Sequence, residues 1–278
     1  VKPDLRIGRW QDVLADVEPG SVRLILTSPP YDNARTYEGT NEPVDFGELA
    51  AFCLRVLMPG GVLAMVLDGA VNDGEQSTTP YRVICEWAAM DGWRFRQLLV
   101  YGRDGAVGAF SGGWFRRDHE PLLYFIRDGA PPACNKVEIR EQTAPYRAGG
   151  STRRRPGGRL YRQPNEVKTM DTKDRGSVWY YGNIGGPRCA CPDHPATFAE
   201  AFAVDAVKVW SNADDLVCDP FSGSGTVAVA CRGLGRRFVG AERVPLYHEM
   251  ALRRLDPTHV SPERAAEPVG TLFAGRQP

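Results

Sequence analysis

No stretch of this 278-residue chain approaches the ~20 consecutive apolar residues that a membrane-spanning helix requires. No charged-then-apolar leader opens the sequence either, so a cytoplasmic protein without a membrane partner is expected. Net charge is also lacking. The 34 Lys and Arg balance 34 Asp and Glu, and the total by itself points to no partner. A disulfide frame is missing too: of seven scattered cysteines, Cys53, Cys85, Cys218 and Cys231 sit inside apolar runs and read as reduced, buried thiols. Cys189-x-Cys191-x-x-His194, with Cys134 as a fourth donor, offers zinc ligands, but its one-residue gap falls short of the roughly two- to four-residue spacing of structural zinc sites. No metal is expected.

What is present suits a soluble globular protein. Hydrophobic residues make up 42% and charged residues 24%, and the length fits one large domain or a domain carrying an insertion. Residues 22–26 form a short β-branched apolar run that stops at Thr27-Ser28-Pro29-Pro30, so the prolines belong in a loop just past a strand. Open α/β sheets bind ligands at that end of their strands. Residues 45–57 carry apolar side chains at three- and four-residue spacing, predicting a helix ended by Pro59-Gly60-Gly61, and 62–67 reads as a buried strand. Thr79-Pro80 predicts another helix start. Residues 93–101 and 121–126 read as an antiparallel strand pair.

A helix is expected from Thr197, with Glu200 completing a capping box and Ala201, Phe202, Ala206, Val209 and Trp210 facing inward. Strands at 216–218 and 238–240 then alternate with helices at 227–231 and 245–255. This alternation predicts an α/β fold, a doubly wound, mostly parallel Rossmann-like sheet.

The segment 129–175 differs in character. It holds eleven Lys or Arg against five Asp or Glu, an excess of six, which leaves six net negative charges for the rest of the chain. Five prolines and five glycines leave it little material for a core of its own. Arg153, Arg154, Arg155, Arg159 and Arg162, with Tyr146 and Tyr161 interleaved, suit a phosphate backbone. The expected organisation is a catalytic half (1–128), a basic target-recognition insert (129–175), a cofactor-binding half (176–256) and a loosely ordered tail (257–278).

Two loops carry the chemistry. In Asp219-Pro220-Phe221-Ser222-Gly223-Ser224-Gly225-Thr226, the glycines let a backbone approach a ligand closely. The run lacks the Gly-Lys-Ser/Thr ending that grips nucleoside triphosphates, and Glu242 follows the next strand, where a carboxylate accepts from two ribose hydroxyls. A nucleoside without phosphates fits best. In Ser28-Pro29-Pro30-Tyr31, Ser28 Oγ and the Pro29 carbonyl offer acceptors to an exocyclic base amine, whose lone pair is delocalised into its ring. Tyr31 offers a face on which an extruded base can stack. Together they point to methyl transfer onto a base nitrogen.

These motifs, in this order, resemble the β group of S-adenosylmethionine-dependent DNA amino-methyltransferases. In that group the (Asp/Ser/Asn)-Pro-Pro-(Tyr/Phe/Trp) motif precedes the cofactor loop and the target-recognition region lies between them. His194-Pro195-Ala196-Thr197-Phe198, Pro59-Gly60-Gly61-Val62-Leu63 and His119-Glu120 match further family positions, and the resemblance spans most of residues 5–256. It implies Ser28, Pro29 and Tyr31 as the catalytic set, and Asp219, Phe221, Gly223, Gly225, Glu242, Thr197 and Phe198 around S-adenosylmethionine. The implied partner is double-stranded DNA, with direct in-line attack and no covalent enzyme intermediate. Serine before Pro-Pro implies N4 of cytosine as the target, with N6 of adenine the alternative. One departure is Gly8-Arg9, where many relatives have Gly-Asp. Pairing of two copies into a homodimer and the existence of a partner nuclease are left open by the sequence.

Overall fold

The computed structural model describes residues 2–30, 43–72, 74–103, 115, 117–148, 152–154, 160–162, 168–181 and 199–256. In chain order, β1 (Asp4–Ile7), α1 (Trp10–Val13), β2 (Val22–Thr27), α2 (Phe46–Val56), β3 (Leu57–Val66), β4 (Val71–Asn72), β5 (Glu75–Gln76), α3 (Thr79–Ala88), β6 (Trp93–Arg103) and β7 (His119–Arg127) come first. The middle holds a 3-10 turn at Lys136–Ile139, then β8 (Glu141–Ala148), β9 (Thr152–Arg154), β10 (Leu160–Arg162) and β11 (Lys168–Lys173). The last group is β12 (Val178–Tyr181), α4 (Glu200–Trp210), β13 (Leu216–Asp219), α5 (Thr226–Leu234), β14 (Arg237–Glu242) and α6 (Pro245–Arg254).

Eight strands form one sheet in the order β1-β14-β13-β2-β3-β7-β6-β12. All neighbours are parallel except β7, which runs antiparallel to both β3 and β6. The antiparallel reading of 93–101 and 121–126 therefore holds. Strand alternation explains the layering. Leu24 and Leu26 of β2, with Val62, Ala64 and Val66 of β3, pack against Phe202, Ala206 and Val227 of α4 and α5. Ile25, Leu63 and Met65 point the other way, toward Leu49, Cys53, Val83 and Trp87 of α2 and α3. Helices on both faces bury the C-terminal stretches of the central strands β2, β3 and β13, as a doubly wound sheet requires.

Helix α2 starts where Asp45 accepts the amides of Gly47 and Glu48, a side-chain N-cap. Pro59-Gly60-Gly61 was expected to stand between helix and strand. Instead it lies within β3 at a bulge, since the single residue between Val22 and Leu24 of β2 stands opposite the four between Leu57 and Val62 of β3. The helix near Thr79 has Thr78 in its N-cap position, one residue earlier than expected and without a side-chain capping bond. Helix α4 starts at Glu200 with Ala199 in the N-cap position, later than the start expected at Thr197, which lies outside the described residues. Ala201 is exposed on that helix, and Ala203 and Val207 take the buried phase instead. Cys85 is exposed as well, because Val83 and Trp87 carry the inward face of α3.

The basic middle segment forms two antiparallel ribbons, β8 with β11 and β9 with β10. It is fastened to α4 and its C-terminal cap by Asn135 donating to the Lys208 and Ser211 carbonyls and by Arg175 paired with Asp205 at 2.6 Å, and buried Ile139 joins the core cluster that holds α4. No helix among the described residues is long and apolar enough to cross a membrane.

Candidate active site

Strands β2 and β13 are parallel neighbours, with Ile25 level with Cys218. Their C-terminal ends therefore lie side by side. Thr27 Oγ1, the last residue of β2, donates to Asp219 Oδ1, the last residue of β13, at 2.7 Å. This buried bond spans 192 residues of sequence. Ser28 follows immediately, partly buried, then buried Pro29 and partly buried Pro30. Tyr31 lies outside the described residues, as do Thr197, Phe198, Arg155, Arg159 and the Cys189, Cys191, His194 group. Arg153 and Arg154 fall on β9 and Arg162 on β10, in the ribbon that Leu160 and Arg154 register.

The glycine loop is tied down at every step. The Phe221 amide donates to Asp219 Oδ1 at 3.1 Å, Ser222 Oγ donates to the Asp219 carbonyl at 2.9 Å, and the Ser222 amide donates to the Ala241 carbonyl at 2.9 Å. Pro220, Ser222 and Thr226 are buried, and the Phe221 ring meets Trp10 edge-on. Gly223 and Gly225 adopt positive φ, 49° and 77°. At Gly225 a side chain would also collide, since a Cβ there would stand 2.7 Å from the Cβ of Ala251. Helix α5 then starts without a side-chain cap, so its first-turn amides belong to the loop.

Glu242 ends β14, the strand on the other side of β13. Its Oε2 accepts the Gly223 amide at 2.7 Å and its Oε1 the Val244 amide at 2.8 Å. The Arg243 amide also bears on this carboxylate, so part of its roughly four acceptor positions remains for a ribose. Gly8, at the end of β1, donates its amide to the Glu242 carbonyl at 2.9 Å, which puts Gly8-Arg9 beside this strand tip.

Two acids at these tips are electrostatically unsettled. Burial pushes the Asp219 carboxyl up to about 7, against the opposing pull of its bonds from Thr27 and Phe221. Burial likewise raises Glu242 above the usual carboxylate range. No basic side chain pairs with Asp219 among the described residues. The Cys218 and Cys231 thiols are raised by burial and are not thiolates at neutral pH.

Sequence reasoning left Thr27 and Arg254 out of the site. Thr27 adjoins the Pro-Pro motif but bears on it only through a cross-strand bond. Arg254 follows Tyr247 and Ala251 at the buried spacing of α6, and an arginine in that phase was the available signal.

A family model described as DNA methylase matches residues 22–253, well over half of the chain. The chain belongs to the DNA methylase family. It is a DNA methyltransferase of the N6/N4 type. The methylase is 27% identical over 244 residues to the orphan methyltransferase M.BamHII of Bacillus amyloliquefaciens, covering 84% of this chain and 89% of that protein. It is 26% identical over 269 residues to the DNA adenine methyltransferase YhdJ of Escherichia coli (strain K12), covering 92% of this chain and 85% of YhdJ. In fold it resembles the cytosine-N4-specific PvuII DNA methyltransferase, with TM-score 0.67 and 17% identity over 95% of this chain and 90% of that one. The M1.HpyAVI–SAM complex has a similar fold, with TM-score 0.61 and 19% identity over 91% and 98%.

Proposed function

We propose that the protein transfers a methyl group from S-adenosylmethionine to N4 of cytosine in double-stranded DNA. The observation that carries this reading is the Thr27–Asp219 bond across two adjacent strand tips. It sets the loop suited to an extruded base beside the loop suited to an adenosyl group. The residues present fit the cofactor: a buried Asp219 without a basic partner favours a sulfonium cation, and Glu242 has acceptor capacity for a ribose.

When bound, S-adenosylmethionine supplies a methyl group activated by its sulfonium. The base amine's lone pair would form the new C–N bond as the C–S bond breaks, the bonding pair would stay on sulfur, and the amine proton would pass to solvent water. Ser28 Oγ and the Pro29 carbonyl accept the amine N–H groups, which draws the nitrogen lone pair out of the ring and aims it. Tyr31 stacks on the base, holding its plane after extrusion. Arg153, Arg154, Arg155, Arg159 and Arg162 hold the DNA backbone through charge.

Ser28 before Pro-Pro supports cytosine. N6 of adenine is the second reading, favoured by the likeness to YhdJ over 92% of the chain. The test is to incubate the protein with DNA and methyl-labelled cofactor, hydrolyse the DNA and identify the labelled nucleoside by mass. N4-methylcytosine is expected. N6-methyladenine would transfer the assignment to adenine, and tight DNA binding without any transfer would indicate a non-catalytic regulator on this scaffold.

A further inference from the structure

Behind the glycine loop sits a buried arginine. Arg254, the last residue of α6, is 5% exposed. Its Nη1 donates to the Ser224 carbonyl at 2.8 Å, to Ser224 Oγ at 3.2 Å and to Thr226 Oγ1 at 2.9 Å. Its Nη2 lies 3.5 Å from Oε2 of Glu200, the first residue of α4. One turn earlier on α6, Ala251 fills the space that a side chain on Gly225 would need. The last turn of α6 thus moulds the loop twice, by shape at Gly225 and by hydrogen bonds on either side of it.

Packing alone does not account for this arginine. Burying a guanidinium costs several kcal/mol unless its partners are complete, and an apolar residue is often the cheaper occupant. Here the pairing is incomplete: Arg254 Nε is buried with no hydrogen-bond partner, and Glu200 Oε2 makes only the 3.5 Å ion pair. What an apolar residue cannot supply is a donor: Nη1 alone takes the Ser224 carbonyl, Ser224 Oγ and Thr226 Oγ1 on the α6 side, while Nη2 turns to Glu200. The loop's other side keeps the Gly223 amide on Glu242. Glu200 also opens the helix that directly follows residues 194–198, the segment the resemblance assigns to the cofactor. The Arg254–Glu200 pair therefore ties the last turn of α6 to the first turn of α4.

We infer that Arg254, held by Glu200, is a positioning residue that keeps the glycine loop in the shape that receives the adenosyl cofactor. It rests on the methyl-transfer reading above. Arg254 touches neither cofactor nor DNA and acts through Ser224 and Thr226.

The test uses the full chain and the variants Arg254→Lys, Arg254→Met and Glu200→Gln. Calorimetry gives the Kd for S-adenosylhomocysteine, and kinetics give kcat with separate KM values for cofactor and DNA. Arg254→Met should raise the cofactor Kd and KM by about tenfold or more and leave the DNA KM unchanged. Arg254→Lys keeps the charge but has a single nitrogen and cannot hold the loop oxygens and Glu200 together, so it should fall between Arg254→Met and the wild type, and Glu200→Gln should shift in the same direction. If Arg254→Met fails to fold, the Lys and Gln variants decide. Lower kcat with unchanged cofactor Kd and KM would mean a merely structural role and overturn the inference alone. No binding by the wild-type protein would overturn the methyl-transfer reading and this inference with it.

Discussion

Asp219→Asn separates the charge at the glycine loop from its geometry. The carboxamide keeps an oxygen where Thr27 and the Phe221 amide donate, and it removes the ionisation. In the folded protein, burial raises this carboxyl from 3.8 to about 7. The unfolded chain returns it to its ordinary value. Because the folded value is the higher one, the native state holds the proton over that window. Its contribution to stability is complete below the lower limit, is lost as pH rises through the window, and is constant above it. A gap of about three units at roughly 1.36 kcal/mol each amounts to about 4 kcal/mol, of which about 2.5 kcal/mol falls between pH 5 and pH 8.

Urea melts of ligand-free wild type and variant at those two pH values measure it. All other titrating groups are shared, so they cancel in the difference between the two proteins. The variant should gain on the wild type by about 2.5 kcal/mol from pH 5 to pH 8. A difference that stays flat with pH, or runs the other way, would refute the reasoning that burial rather than pairing governs Asp219.

The same acid should release a proton when a sulfonium ligand binds near it at pH 6 to 7, seen as a buffer-dependent heat in calorimetry and absent in Asp219→Asn. Thr27→Val leaves a buried acceptor short of a donor and should cost about 1–3 kcal/mol by urea melts while cutting turnover more than DNA affinity. Gly225→Ala forces a side chain into positive φ against Ala251, and should lower stability by roughly 1–2 kcal/mol or more and weaken cofactor binding, read by thermal melts with and without S-adenosylhomocysteine. Replacing Arg153, Arg154 and Arg155 together by Ala should weaken DNA binding and flatten its salt dependence; an unchanged slope would remove them from the interface.

Much of the sheet was legible because its strands are short apolar runs bounded by strong punctuation. Residues 22–26 stop at two prolines, and the glycine run follows an apolar stretch, so both loops fell at strand ends as read. Their adjacency was not legible. Pairing of β2 with β13 across 192 residues follows from layer packing, which no local spacing records. Local signals also misled where tertiary contacts overrode them. Glu200 at capping-box distance from Thr197 instead opens α4 and faces Arg254. Pro59-Gly60-Gly61 reads as a terminator, yet the neighbouring strands absorb it as a bulge. Cys85 sits in an apolar run but in the outward phase of its helix. Arg254 was passed over because an arginine near a helix end usually reads as a solvated charge, although its phase with Tyr247 and Ala251 marked it as inward-facing.

A crystal structure with S-adenosylhomocysteine bound tests the convergence of the two loops most directly. The account predicts the adenosyl group on the 219–226 loop, its ribose hydroxyls on Glu242 and its sulfur turned toward Ser28. A ligand seated elsewhere, or a sulfur facing away from Ser28 with the loop unchanged, would contradict it.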